Sequence, residues 1–198
     1  MKKFVITINR NFGSLGRPIA KRLSELLNVE YYDRDIVEAA AKKMNLPVSV
    51  ISRIEEKRSG FFSMLFPLGN DSPEHQRAVF EAQSEIIRDI AAKESCIIVG
   101  RCADYVLREN PDAVSVFVKA DMQSKIDRAV KYYGIEADKA EDRIRKADKQ
   151  RASYYNYYAT ATWGDVDNYD LVVDTGVLGV EGAVELIAKF LELRADKK

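Results

Sequence analysis

At 198 residues the chain is long enough to bury one substantial core, and a single domain is expected. Lys plus Arg and Asp plus Glu balance at 31 each, which argues against a general nucleic-acid partner and leaves room for a local basic cluster. No apolar run approaches a membrane span, and the opening MKKFVITINR lacks a signal peptide's apolar region, so a cytoplasmic location without a membrane partner is expected.

Phe4 to Ile8 (FVITI) is a β-branched run suited to a buried strand; Ile19, Leu23, Leu26 and Leu27 then recur at helical spacing. Between them lies Gly13-Ser14-Leu15-Gly16. Glycines there permit positive φ and close approach of backbone N–H groups to a ligand, and the following helix aims its dipole at the same point. Arg17 strengthens the reading, because a guanidinium in a first helical turn opposes the dipole unless an anion complements it. Arg10 adds a second cation, and Pro18 suits the first helical position. Anion binding is expected here, with a plain strand-helix connection as the alternative.

Val29 to Asp33 reads as a second strand whose charged end, Asp33-Arg34-Asp35, lies where open α/β sheets bind ligands. Asp33 equally suits a helix N-cap, and both roles can hold together. Two helical stretches from Ile36 to Lys57 divide near Pro47. The apolar segment Phe61 to Leu68 reads as a connection facing a partner, as a homodimer contact, or as chain tucked under its neighbours. Ser72 to Lys93 is amphipathic, with Val79, Ala82, Ile86, Ile87 and Ile90 on its apolar face. His75, near its start, is read as solvated. Ser95 to Arg101 runs apolar into Gly-Arg, as a central parallel strand would, and sets Arg101 at the sheet's carboxyl edge beside the glycine loop. Asp104, one turn on, is a cap or metal neighbour. Cys96 and Cys102 make neither a C-x-x-C pair nor a zinc set, and are read as buried thiols.

Ala113 to Lys119 is the fourth strand, and Asp121 caps a helix from Met122 to Tyr133. Glu136 to about Tyr158 is helical and crowded with charge: a solvated face, or a basic lid that closes on phosphates. Arg145 and Lys149 share one side of it, Asp148 and Arg151 another. Tyr154, Tyr155, Tyr157 and Tyr158 pack the helix against its neighbours. Tyr169 to Gly176 is a fifth strand, and Gly182 to Leu193 a closing helix. Strands alternating with helices predict one parallel α/β sheet covered on both faces.

Five stretches together resemble the cytidylate kinase-like family of P-loop nucleoside monophosphate kinases: ITINRNFGSLGRPIAKRL, YYDRDIVEAAA, IIVGRCADYVL, DKQRASYYNYY and YDLVVDTG. The resemblance implies a three-layer P-loop kinase fold, with a five-stranded parallel sheet between helices, an acceptor-binding insert over about 34–70 and a lid over about 136–162. It implies transfer of the ATP γ-phosphoryl group, with Mg²⁺, to a nucleoside monophosphate such as CMP or dCMP. Gly13, Ser14, Leu15, Gly16 and Arg17 would then hold donor phosphates, while Asp33, Arg34 and Arg101 face the acceptor. Arg145, Lys149 and Arg151 would bridge the two from the lid, oriented by Asp148, and Thr175 and Gly176 would border the adenine. Mg²⁺ would ride on the ATP phosphates, with Ser14 or Asp104 as side-chain candidates. A standard P-loop reads G-x-x-x-x-G-K-[ST]. Here Gly16 takes the Lys position, Arg17 follows as a substitute cation, and Pro18 is read at the hydroxyl position; Cys102 stands where cytidylate kinases carry an aspartate. Two alternatives stay open: a catalytically weak nucleotide-binding regulator, and a kinase of a non-nucleotide small molecule.

Overall fold

The computed structural model describes residues 2–33, 42 and 73–195. Apart from residue 42, the expected insert over 34–70, with Arg34, Asp35 and Phe61 to Leu68, lies outside them, as does the side chain of His75. Among the described residues, β1 (Val5–Arg10), β2 (Glu30–Tyr32), β3 (Cys96–Val99), β4 (Ala113–Lys119) and β5 (Leu171–Asp174) form one parallel sheet in the order β2-β3-β1-β4-β5. The helices are α1 (Gly16–Leu27), α2 (Pro73–Lys93), α3 (Ala103–Val106), α4 (Met122–Tyr133), α5 (Ala137–Tyr158) and α6 (Thr175–Ala195).

β1 is central and buried on both faces, with Thr7 and Asn9 as its buried polar residues. Ile6 and Ile8 point to the side covered by α1 and α6, where Ile97, Val99 and Val116 join them against Ile19, Leu23, Ala183 and Ile187. Val5 points the other way, with Cys96 and Ile98, against Ile87 and Ala91 of α2 and Ala103 and Val106 of α3. Burial on both faces is why β3 reads as an unbroken apolar run and β1 as a mostly apolar one, and each fully buried isoleucine contributes about 2 kcal/mol. The register Val5↔Cys96 through Ile8↔Val99 on one flank, and Val5↔Ala113 through Arg10↔Val118 on the other, brings the strands' carboxyl ends to a common edge.

Two element boundaries differ from expectation. α1 begins at Gly16, so Pro18 is its third residue; Pro is tolerated there because first-turn N–H groups have no intrahelical acceptor. α6 starts at Thr175, straight from β5, and is interrupted at Gly179 (φ 64°, ψ −164°), which only glycine adopts readily. α4 keeps its expected cap: the Asp121 carboxylate accepts from Ser124 N at 2.9 Å. α5 covers most of the stretch expected as a lid and packs through Ala140, Ile144 and Ala147 on Ala129 of α4 and on Phe12 of the glycine loop.

Candidate active site

Local backbone geometry builds the loop between β1 and α1. Gly13 has φ 74°, and a Cβ there would lie 3.1 Å from the Lys125 carbonyl oxygen, so both conformation and space call for glycine. Leu15 caps α1 in the left-handed region (φ 64°) without a side-chain hydrogen bond, and the first turn holds no acid. With position 16 as the standard lysine position, the next residue is Arg17; the hydroxyl position therefore falls on Arg17, not Pro18, and the pattern's two glycines fall on Arg10 and Leu15.

The loop is tied down from β5. Thr175 is buried; its hydroxyl donates to the Ser14 carbonyl at 3.0 Å and accepts from Arg128 Nη1 at 2.9 Å. Arg128 also donates to the Gly13 carbonyl (3.2 Å) and, through Nη2, to that of Thr175 (2.7 Å). Thr175 thus braces the loop through its hydroxyl. Gly176 is exposed and its N–H donates to Asp174 Oδ1 at 2.9 Å.

Arginines converge on the loop's open side. Arg17 Nε donates to Asp33 Oδ2, and Arg10 Nη2 lies 3.9 Å from Asp33 Oδ1. Burial alone would raise the Asp33 carboxyl, but Arg10 and Arg17 hold it below its ordinary value. Burial first, then Arg151, push the Arg10 guanidinium down to about 9, partly offset by Asp33. Burial likewise lowers Arg151 to about 10 and lowers Arg101. A guanidinium keeps its proton in proteins, so this cost persists as attraction for an incoming anion. Arg101 sits at the expected edge of β3, in a turn where Gly100, Arg101 and Cys102 are all left-handed (φ 76°, 59° and 53°). Such strain at two non-glycine residues costs on the order of 1–3 kcal/mol each and gathers at functional sites.

From α5, Arg151 Nη1 donates to the Arg10 carbonyl at 2.9 Å. Asp148 accepts from Phe12 N at 2.6 Å and from Lys125 Nζ at 3.2 Å, and lies 3.9 Å from Arg151. The expected division of the helix into two sides holds, with a consequence for the lid residues. Arg145 is 66% exposed and paired with Glu141, and Lys149 is exposed, so the structure does not bring them to the cleft. Tyr154, Tyr155 and Trp163 line a cleft of 40 Å³ together with Asn9, Arg10, Gly100, Arg101 and Arg151.

Neither side-chain candidate for Mg²⁺ faces this cleft as a ligand. The Ser14 hydroxyl is buried and donates to the Asn11 carbonyl at 2.9 Å. Burial raises the Asp104 carboxyl, and its Oδ2 accepts from the Tyr155 hydroxyl at 2.7 Å. Among the described residues no group of three His, Cys, Asp or Glu could hold a metal ion. Cys96 and Cys102 are buried free thiols, as expected, and burial pushes both up, away from reactivity.

A profile of the cytidylate kinase-like family matches residues 5–177. The chain belongs to that family. It is 28% identical over 199 residues to a cytidylate kinase of Archaeoglobus fulgidus, covering 97% of each chain. A crystal structure of an uncharacterized protein from Eubacterium ventriosum superposes with a TM-score of 0.75 at 29% identity, covering 96% of this chain and 99% of that one. A shikimate kinase from Bacteroides thetaiotaomicron, at 17% identity and a TM-score of 0.56 over 96% and 98% of the two chains, shares the P-loop kinase fold. No helix among the described residues is long and apolar enough to cross a membrane.

Sequence reasoning missed Asn9, Lys125, Arg128 and Trp163. Lys125 carried a signal: it lies on the same face of its helix as Ala129, four residues on, where a lysine is out of place unless paired. Asn9 likewise breaks an apolar strand. Arg128 and Trp163 carried none.

Proposed function

We propose that this chain is an ATP-dependent phosphotransferase whose acceptor is a nucleoside monophosphate, CMP or dCMP first among them. One observation carries the reading: Arg10, Arg17, Arg101 and Arg151 converge where a glycine loop meets the carboxyl edge of a parallel sheet. Phosphoryl transfer asks a protein for placement and positive charge, and no nucleophile of its own. The loop's N–H groups and Arg17 receive the donor phosphates, Arg101 receives the acceptor phosphate, and Arg151 stands between, neutralising charge on the transferring group. Mg²⁺, if bound with ATP, would supply further positive charge, beside that of Arg10, Arg17 and Arg151. Tyr154 and Trp163 add aromatic surface to the cleft lining.

Arg10 and Arg17 hold the Asp33 carboxyl below its ordinary value, so it stands as an anion beside the cations that would meet phosphate. The similarity to the Archaeoglobus fulgidus cytidylate kinase supports the choice of pyrimidine.

The test is ADP release from ATP and Mg²⁺ across a panel of nucleoside monophosphates. Turnover is expected with CMP or dCMP, reduced roughly 100-fold or more in Arg151→Ala and little changed in Arg145→Ala. ATP binding without turnover of any acceptor would replace the enzyme with a nucleotide-binding regulator.

A further inference from the structure

The standard pattern has glycine where this chain has Arg10, and lysine where it has Gly16. The exchange is reciprocal, and the geometry couples its two halves. A Cβ at Gly16 would stand 2.9 Å from both Cβ and Cγ of Arg10 and 3.6 Å from its Cδ. Arg10's stem therefore fills the space a side chain at position 16 would enter. Farther along, a Cβ at Gly100 would overlap Arg10 Nη1, so the guanidinium rests on the bare backbone at the end of β3. There it is 12% exposed and lines the cleft; among the described residues its nearest carboxylate, Asp33, is 3.9 Å away, too far to occupy its planar fork of donors.

We infer that Arg10 is the phosphate-facing cation of this loop, reaching in from the loop's first position to do what a lysine at position 16 does in a standard P-loop, and that Gly16 and Gly100 are glycines to let it through. The inference rests on the phosphate-binding reading of the cleft and adds the residue that grips the terminal phosphates of the donor. A guanidinium grips a phosphate through two parallel N–H bonds, where an ammonium acts as a point charge. It also explains why Arg17 can stand at the hydroxyl position: the cation comes from the other end of the loop.

The experiment is calorimetric binding of tripolyphosphate and of ATP to the full chain and to four variants, each checked for folding by circular dichroism. Arg10→Gln keeps most of the stem without the charge and is expected to weaken both probes roughly tenfold or more, as is Arg10→Gly. Gly16→Lys alone also weakens them, because its Cβ displaces Arg10. The double variant Arg10→Gly, Gly16→Lys, which restores the pattern's first glycine and its lysine, binds within a few-fold of the parent. Recovery in the double variant is a signature that a merely structural role would not produce. Parental affinity in Arg10→Gln, or a double variant no better than Arg10→Gly, overturns the inference while leaving the proposed function standing. A parent that binds neither probe overturns both. If Arg10→Gly does not fold, Arg10→Gln decides alone.

Discussion

Asp33 is the carboxylate that Arg10 and Arg17 share before any phosphate arrives. Its side chain is 10% exposed and that of Arg10 12%, whereas Arg17 at 37% is partly screened by solvent, so removing the charge strands Arg10 above all. Asp33→Asn should lower stability at neutral pH by about 1–3 kcal/mol in urea unfolding. The sign with pH follows from its depressed folded pKa: its contribution is complete above the unfolded value near 3.8 and is lost as pH falls below that. Parent and variant should therefore converge in acid; a gap that stays constant down to pH 3 would sink the assignment. The same variant should bind tripolyphosphate more tightly, since Asp33 no longer competes for Arg10 and Arg17. Stability and anion affinity then move in opposite directions, which a simple loss of structure would not do.

At the scale of elements, Asp148 joins α5 to the glycine loop and to α4 at once, through Phe12 N and Lys125 Nζ. Lys125 and Asp148 are 9% and 16% exposed, so breaking the pair from one side strands a buried charge. Asp148→Ala should cost about 3 kcal/mol, while Asp148→Leu combined with Lys125→Met should cost much less, and a double-mutant cycle reads the difference. Thr175 has the corresponding role between β5 and the loop. Thr175→Val keeps the shape but leaves Arg128 and the Ser14 carbonyl without the hydroxyl, at about 1–3 kcal/mol, measurable by thermal melting. The helical period explains why Arg145 and Lys149 fall outside this bracing: Asp148 and Arg151 turn inward, and residues on the opposite side meet solvent and Glu141 instead.

For the whole molecule, buried guanidiniums facing one another store repulsion that any multivalent anion relieves. Tripolyphosphate at about 100 times its Kd should add about 2.7 kcal/mol to unfolding stability, seen as a concentration-dependent rise in Tm. Chloride at equal ionic strength should not reproduce it, since screening is weak for buried charges. Absence of any shift would argue that the convergence is not an anion site.

How much of this was open to reading from the chain depended on range. The strands around Ile6, Ile98 and Val116, the cap at Asp121, the glycine loop and the two sides of α5 follow from local periodicity and backbone preference, which a linear sequence carries in full. Arg101 at a strand's end also came from a local rule. The passage of Arg10 between Gly16 and Gly100, and the brace from Thr175 to Ser14, join residues far apart in the chain. They exist because the order β2-β3-β1-β4-β5 sets β3 beside β1 and brings the end of β5 across to the loop. No periodicity encodes which strands become neighbours; that is decided when two apolar faces are covered together, and the contacts of the site follow from it.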